Sequence, residues 1–294
     1  MNEEILEKYR QAGRIAKKVR EEGIKMIKPG VKLLEVAEGV EKMIKDMGAE
    51  PAFPVNISIN NVAAHFSPRF KDDHLEFRVG DVVKLDVGVH VDGYIADTAE
   101  TVEVESDRYY DLIISSKRAL EKVIEMVKPS VRIGELGKVI SDTINSMGFK
   151  PIRNLSGHSL ERYNLHAGIS VPNIPTTERV SLKEGMVLAI EPFSSTGSGY
   201  VKSKGWSNIY RYIRSPLARD LKLKILATRI KKRFGTLPFA DRWFSREFPN
   251  MQTELHRLIS LRCVYHYPRL VDDGIVSQHE HTIIVTKDGC EVIT

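Results

Sequence analysis

The sequence predicts an α+β fold of two pseudo-symmetric αβ halves, with a winged-helix-like helical subdomain inserted into the second. Three observations predict it. A segment repeats itself at an offset of 100 residues. A turn glycine, an apolar strand and a carboxylate stand at matched positions of both copies. A basic helical stretch then interrupts the second copy. With 42% hydrophobic and 28% charged side chains among 294 residues, the chain has ordinary globular composition, which excludes wholesale disorder. Two cysteines, Cys263 and Cys290, exclude a disulfide scaffold. The net charge of +5 permits an anionic partner without demanding one.

Ile5, Tyr9, Ala12, Ala16 and Val19 recur at helical spacing and predict a long first helix. Lys28-Pro29 turns the chain, and a second amphipathic helix is expected from about Leu33 to Met47. Gly48 follows where a helix-terminating glycine belongs. The plan then returns. Leu112, Ser116, Leu120, Val123 and Val127 keep helical spacing, Lys128-Pro129 turns, a helix is expected from about Ile133 to Met147, and Gly148 ends it. Residues 28–51 align without gaps on 128–151, with eight of 24 positions identical, several times what chance supplies.

Strands come next. Gly80 leads into an apolar run ending at Asp86, and Gly185 into one ending at Glu191, each carboxylate six residues after its glycine. The first run continues as a hairpin turned at Asp92-Gly93, which brings back Asp97 eleven residues after Asp86. The second should return at Glu280, 89 residues after Glu191, so its hairpin holds an insertion of 78 residues. This divides the chain into a catalytic domain, 1–193 with 274–294, and an insertion at 194–273. Pro216 to Phe234 is expected to be helical and basic. Nine Lys and Arg (211, 214, 219, 222, 224, 229, 231, 232, 233) face one acid, Asp220, between Arg211 and Phe234. Gly235-Thr236-Leu237-Pro238 breaks that helix, a second runs from about Asn250 to Leu261, and Val264 to Pro268 is extended. Helix–turn–helix followed by strand is a winged-helix plan. The segment from Ser194 to Tyr212 fits no pattern.

The polar residues at the strand ends carry the chemistry. Asp86, Asp97, His158, Glu191 and Glu280 form a hard, oxygen-rich set, and the repeat symmetry brings its carboxylates face to face. Such a set suits two divalent cations, with Co, Mn, Fe, Zn and Ni all compatible. Without cations, that much buried negative charge would drive the carboxyls to protonate. His65 and His166 sit among small or apolar residues, either as packed, hydrogen-bonded imidazoles or as donors and acceptors around a polarised carbonyl. His279 and His281 flank Glu280 and should point to the opposite face of its strand, so they are not counted as ligands.

The segments Phe53-Pro54, Ala63-Ala64-His65, Lys84-Leu85-Asp86-Val87-Gly88, Asp97-Thr98-Ala99, Asn154-Leu155-Ser156-Gly157-His158, Leu165-His166-Ala167-Gly168, Ala189-Ile190-Glu191-Pro192-Phe193, Phe234-Gly235-Thr236-Leu237-Pro238-Phe239 and Glu280-His281-Thr282 follow in order. Together they resemble type II methionine aminopeptidase in its short archaeal form. The resemblance spans nearly the whole chain and includes the insertion that separates type II from type I. It implies a pita-bread fold around a dinuclear centre and removal of the initiator methionine from nascent proteins when the next residue is small. By this resemblance Asp86, Asp97, His158, Glu191 and Glu280 are the metal ligands. Asp97 and Glu280 would bridge, Asp86 would complete one metal's shell, and His158 and Glu191 the other's. A hydroxide activated by both metals would attack the first peptide bond. Glu191 would shuttle the proton, His166 stabilise the oxyanion and His65 meet the scissile amide nitrogen. Phe53, Leu155, Phe193 and Tyr267 match positions lining the methionine pocket. One departure stands out: the chain reads Gln278-His279-Glu280-His281 where the family usually has Gln-Phe-Glu-His.

Two rivals are weighed. Prolidases resemble this fold and carry a similar ligand set, but have a separate domain before the catalytic one. A non-catalytic ribosome- or nucleic-acid-binding protein on the same scaffold suits the basic insert but not the intact ligand set. The expected partners are the N-terminal Met of nascent polypeptides and, transiently, the ribosome through the basic insert. A monomer is expected, with no membrane span and no sequence-specific DNA. The first twenty residues are charged and lack an apolar run, so a cytoplasmic protein is expected.

Overall fold

Helix α1 (Glu3–Met26) forms because Tyr9, Ala12, Ala16 and Val19 fall on one buried stripe, and because Asn2 Oδ1 accepts from Ile5 N at 2.9 Å at its start. The coordinates are a computed structural model that describes residues 1–294 apart from 71, 218, 219, 245, 246, 249 and 250. Helix α2 (Leu33–Asp46) stops at Gly48, whose φ of +79° is the left-handed conformation expected there. Short strands β1 (Glu50–Pro51), β2 (Asn56–Ile59) and β3 (Val62–Ala64) lead to the hairpin β4 (Val82–Val91) and β5 (Tyr94–Glu103). Its turn residues Asp92 and Gly93 have φ of +54° and +86°, as a type I′ turn requires. Both β1 and β2 pair with β4, whose other neighbour is β5. Helix α1 lies across β4 and β5, closing the first core.

The second half repeats this. Helices α3 (Tyr110–Met126) and α4 (Ile133–Ser146) are followed by Gly148 at φ +83°. Strands β6 (Lys150–Pro151), β7 (Ser156–Ser159), β8 (Ser170–Pro172), β9 (Val187–Ile190) and β10 (Phe193–Ser195) come next. The repeat extends to single hydrogen bonds. Leu33 N donates to Leu75 O at 3.0 Å and Phe77 N to Val31 O at 3.0 Å; their counterparts are Ile133 N to Val180 O at 3.1 Å and Leu182 N to Val131 O at 2.8 Å.

The segment that fits no sequence pattern is largely strand. Strand β11 (Lys202–Tyr212) opens a ribbon completed by β13 (Val264–Val271) after helix α5 (Leu221–Phe234), strand β12 (Phe239–Ala240), a 3-10 turn (Asp241–Trp243) and helix α6 (Met251–Ser260). The expected helix over Pro216–Phe234 is corrected at its start. It begins at Leu221 because Asp220 Oδ1 caps it, accepting from Lys222 N at 2.9 Å and Leu223 N at 3.3 Å. Arg219 of the basic set and Asn250, the expected start of the second helix, lie outside the described residues. Leu223, Leu226, Ile230, Phe244 and Leu255 give this region its own core. The region is also tied to the first half. Strand β13 pairs with β3, and the buried Arg242 guanidinium is ion-paired to the Glu41 carboxylate of α2. Trp243 Nε1 donates to the same carboxylate at 2.7 Å.

After the insertion, β14 (Val276–Gln278) pairs with β10, and β15 (His281–Val285) with β9 and β16 (Cys290–Val292). So the second hairpin does return at Glu280, but broken at that residue into two short strand pairs. The halves meet here. Glu280 N donates to Ala99 O at 2.9 Å, and Ala99 N to Glu280 O at 3.3 Å. Buried threonines stitch the rest of the seam: Thr98 Oγ1 donates to Glu280 O at 2.9 Å and Thr101 Oγ1 to Gln278 O at 2.6 Å. Among the described residues no helix is long and apolar enough to cross a membrane.

Candidate metal centre

Strand register assembles the centre. In the β4–β5 ladder Asp86 faces Ala99 and Asp97 faces Gly88, so the two carboxylates are diagonal neighbours on one face. The Ala99–Glu280 bridge brings Glu280 beside them across the seam. Glu191 follows the end of β9, and His158 sits on β7 opposite Ala189 of β9. Gly157 permits that closeness, since a Cβ there would lie 2.2 Å from Ala189 O.

All five expected ligands converge on one cavity. His158 Nε2 is 3.7 Å from Asp97 Oδ2 and 3.7 Å from Glu191 Oε1. Asp97, His158 and Glu280 each offer a donor atom within 4.8 Å of the others. Gln278 Nε2 donates to Glu280 Oε2 at 3.1 Å and Glu191 Oε2 at 3.4 Å, holding two carboxylates in place. Thr282 fixes Asp97 from behind: its Oγ1 accepts from Asp97 N at 2.7 Å and donates to Asp97 O at 2.8 Å.

The electrostatics call for cations. Burial pushes Asp86 up to about 7. Burial, then repulsion from neighbouring carboxylates, holds Asp97, Glu191 and Glu280 well above the usual carboxylate range. Asp86 Oδ1, Asp97 Oδ1 and Glu280 Oε1 are buried without a hydrogen-bond partner among the described residues. Orphaned carboxylate oxygens beside an imidazole fit hard-to-borderline divalent metals, and the residues present suit such a group.

Both expected substrate histidines line the cavity. His65 holds a left-handed φ of +61°, packs edge-on to Tyr267 at 5.4 Å, and is lowered to about 4 by burial. The His166 ring lies 4.5 Å from that of His158, and burial, then the Arg211 charge, lowers it to about 4. Both imidazoles are therefore neutral at neutral pH.

The cavity, of ≈ 70 Å³, has an apolar wall. Phe53 and Tyr267 belong to it as expected. Leu155 and Phe193 do not line it; they lie in an apolar cluster with Ala63, Ala64, Val201 and Val276. Sequence reasoning missed Asn56, Ala64, Leu165, Ile209 and Pro238. Ala64, Leu165 and Pro238 fall within the quoted motifs, whereas Ile209 belongs to the unassigned segment.

His279 and His281 turn away from the cavity, as strand alternation demands. His279 Nδ1 lies 2.8 Å from Ser116 Oγ of α3, and His281 Nδ1 is 2.9 Å from Thr294 Oγ1. The His279 departure thus substitutes a buried, hydrogen-bonded ring on the far side of the strand from Glu280. Behind the centre, the fully buried Lys84 ammonium donates to Asn60 O at 2.9 Å and Val276 O at 2.8 Å, tying β4 to β14.

Known proteins match this chain along its length. It is 49% identical to a methionine aminopeptidase of Methanocaldococcus jannaschii, over 100% of both chains. It is 48% identical to one from Pyrococcus abyssi, over 98% of this chain and 99% of that one. A methionine aminopeptidase structure from Thermotoga maritima superposes with a TM-score of 0.73 at 26% identity, covering 100% of this chain and 98% of that one. A prolidase structure from Pyrococcus horikoshii reaches 0.65 at 21% identity but is covered only to 62%, against 100% of this chain. The fold is the pita-bread fold of these proteins. The pattern of metallopeptidase family M24 matches residues 7–287. With the ligand geometry and the full-length relatives in agreement, the chain belongs to metallopeptidase family M24.

Proposed function

We propose that this protein is a type II methionine aminopeptidase that releases the initiator methionine when the second residue is small. One observation carries the reading: five metal-type donors and two neutral histidines converge on one small cavity that apolar side chains also line. Asp86, Asp97, His158, Glu191 and Glu280 would together hold two divalent metals. When bound, such a pair supplies Lewis-acid polarisation and a water of lowered pKa.

The chain's own residues do the rest. Phe53, Ile209 and Tyr267 exclude water from the methionine side chain and orient the first peptide bond. Glu191 takes the proton of the attacking water and delivers it to the leaving nitrogen. The His166 ring N–H donates to the carbonyl oxygen as it gains charge. His65 Nδ1, buried without a partner among the described residues, meets the scissile amide. Metal content measured together with release of Met from Met-Ala and Met-Gly peptides, against Xaa-Pro peptides, tests the reading. Preference for Xaa-Pro substrates would overturn it in favour of a prolidase.

The segment 194–273 reads as a unit inserted into a catalytic domain of 1–193 and 274–294, and its basic face as a docking surface for the ribosome in the cytoplasm. Lys231, Lys232 and Arg233 line a groove of ≈ 620 Å³ with Lys45 of the first half, and these four cations against the one lining acid, Glu50, favour an anionic partner. Part of the basic set is already engaged, since Arg229 and Arg233 both pair with Glu247.

A further inference from the structure

The cavity opens outward into a second cleft of ≈ 460 Å³, and the two share Leu165, His166, Pro238 and Tyr267. Beyond these shared residues, nothing in the proposed chemistry uses this outer cleft. Two arginines line it. Arg162 is committed, with Nη2 donating to Asp92 Oδ1 at 3.0 Å and Nε to Asp92 O at 2.9 Å. Arg211 is different: its Nε is buried and meets no acceptor among the described residues. A buried guanidinium N–H left without an acceptor costs free energy unless something arriving from solution satisfies it.

Position says what arrives. Ile209 and Arg211 are two residues apart on β11, so they project from one face. Ile209 lines the inner cavity and Arg211 the outer cleft. Two strand residues span roughly 7 Å, which is also the advance of two residues in an extended peptide. A chain whose first side chain rests against Ile209 therefore carries its third residue past Arg211.

We propose that Arg211 is a specificity residue of a downstream subsite, donating to the backbone carbonyl of the substrate's third residue. The ligand chemistry is an sp² oxygen of an extended peptide. In a protein substrate it comes from an amide, and in a free tripeptide from the terminal carboxylate. The subsite rests on the aminopeptidase reading, and it makes that enzyme read chain length as well as the first two residues.

The test uses the metal-loaded full chain and the substrates Met-Ala-amide, Met-Ala-Ala-amide and Met-Ala-Ala-Ala-amide, with free-acid Met-Ala-Ala as a fourth. In the wild type kcat/KM should rise about tenfold when the third residue is added and little thereafter, because a hydrogen bond to a charged group is worth about that factor. In Arg211→Met the ratio between Met-Ala-Ala-amide and Met-Ala-amide should collapse towards one, through KM. Arg211→Lys should restore part of it, which separates a lost donor from a misfolded cleft. A gain for the free acid with none for Met-Ala-Ala-amide assigns the subsite to carboxylates rather than carbonyls and overturns the proposal as stated. So would a length advantage that survives in Arg211→Met, or an equal loss of kcat on every substrate, which would mean that the arginine acts only on His166. Failure of the wild type to release Met from any of the four would overturn the aminopeptidase reading itself, and the subsite with it.

Discussion

At Gly88 a single missing Cβ decides the shape of the pocket. A Cβ there would lie 2.1 Å from Phe53 Cε1, and Phe53 packs in the first core while also bordering the cavity. Gly88→Ala should therefore cost about 1–3 kcal/mol of stability by overpacking and raise KM for Met-Ala peptides as Phe53 tilts into the cavity. Thermal melts and steady-state kinetics measure both; an unchanged KM would mean that the ring does not bound the methionine. Glu280→Gln should lower metal occupancy and abolish turnover, since it removes an oxygen expected to serve both ions. Full activity in an apo or single-metal protein would overturn the dinuclear centre. His166→Ala should lower kcat by roughly 10²-fold with metal content unchanged, as loss of one transition-state donor does. That carboxylates would meet was legible in the sequence because the repeat doubles the signal: Asp86 and Glu191 stand at the same distance from matched glycines, whereas His158 has no such counterpart and was picked out by the family resemblance. Ile209 was not, because an apolar residue in a segment without a readable pattern looks like any other, and only the fold carries it into the cavity.

Between elements, the most consequential contact joins helix α2 to the 3-10 turn of the insertion. The Glu41 carboxylate accepts from Arg242, from Trp243 Nε1 at 2.7 Å and from Val55 N at 3.1 Å. Arg242 also donates to Ser67 Oγ at 2.7 Å. Glu41→Ala strands a buried guanidinium and should destabilise the fold by about 3–5 kcal/mol. Only Trp206 and Trp243 fluoresce as indoles, so a shift in tryptophan emission preceding global unfolding would report the insertion loosening from α2. If emission and far-UV signals melt together at the wild-type temperature, the pair is energetically idle. Helices α1 to α4 and the first hairpin could be read from apolar period and turn residues, each being a local property. Strand β11 could not. Its first five residues are exposed and only the next four buried, so the alternation that marks a strand is absent. It is held as a strand by pairing with β13, about sixty residues further on.

For the molecule as a whole, the basic groove makes a prediction separate from catalysis. Reversing Lys231, Lys232 and Arg233 to Glu should abolish co-sedimentation with ribosomes at low salt while release of Met from short peptides stays normal. Wild-type binding should weaken linearly in log K against log salt. A triple variant that co-sediments as the parent does would reduce the groove to a solvated face. The pseudo-symmetry of the halves was legible from one gapless alignment, and the bonds from Leu33 and Ile133 to matched carbonyls bear it out atom by atom. How the insertion packs was not legible, because the Glu41–Arg242 pair and the β3–β13 ladder join residues about two hundred positions apart.

The seam at Ala99 and Glu280 has a consequence for how the molecule can be taken apart. The connection between the halves, residues 105–108, is exposed and belongs to no helix or strand. A chain cut there would yield one piece carrying Asp86, Asp97 and the hairpin, and another carrying His158, Glu191 and Glu280. Neither piece alone owns a complete ligand set, and each presents buried threonines or backbone groups that only the other can satisfy. Co-expressed, the two pieces should find each other as partners of a heterodimer, and divalent metal should tighten their association.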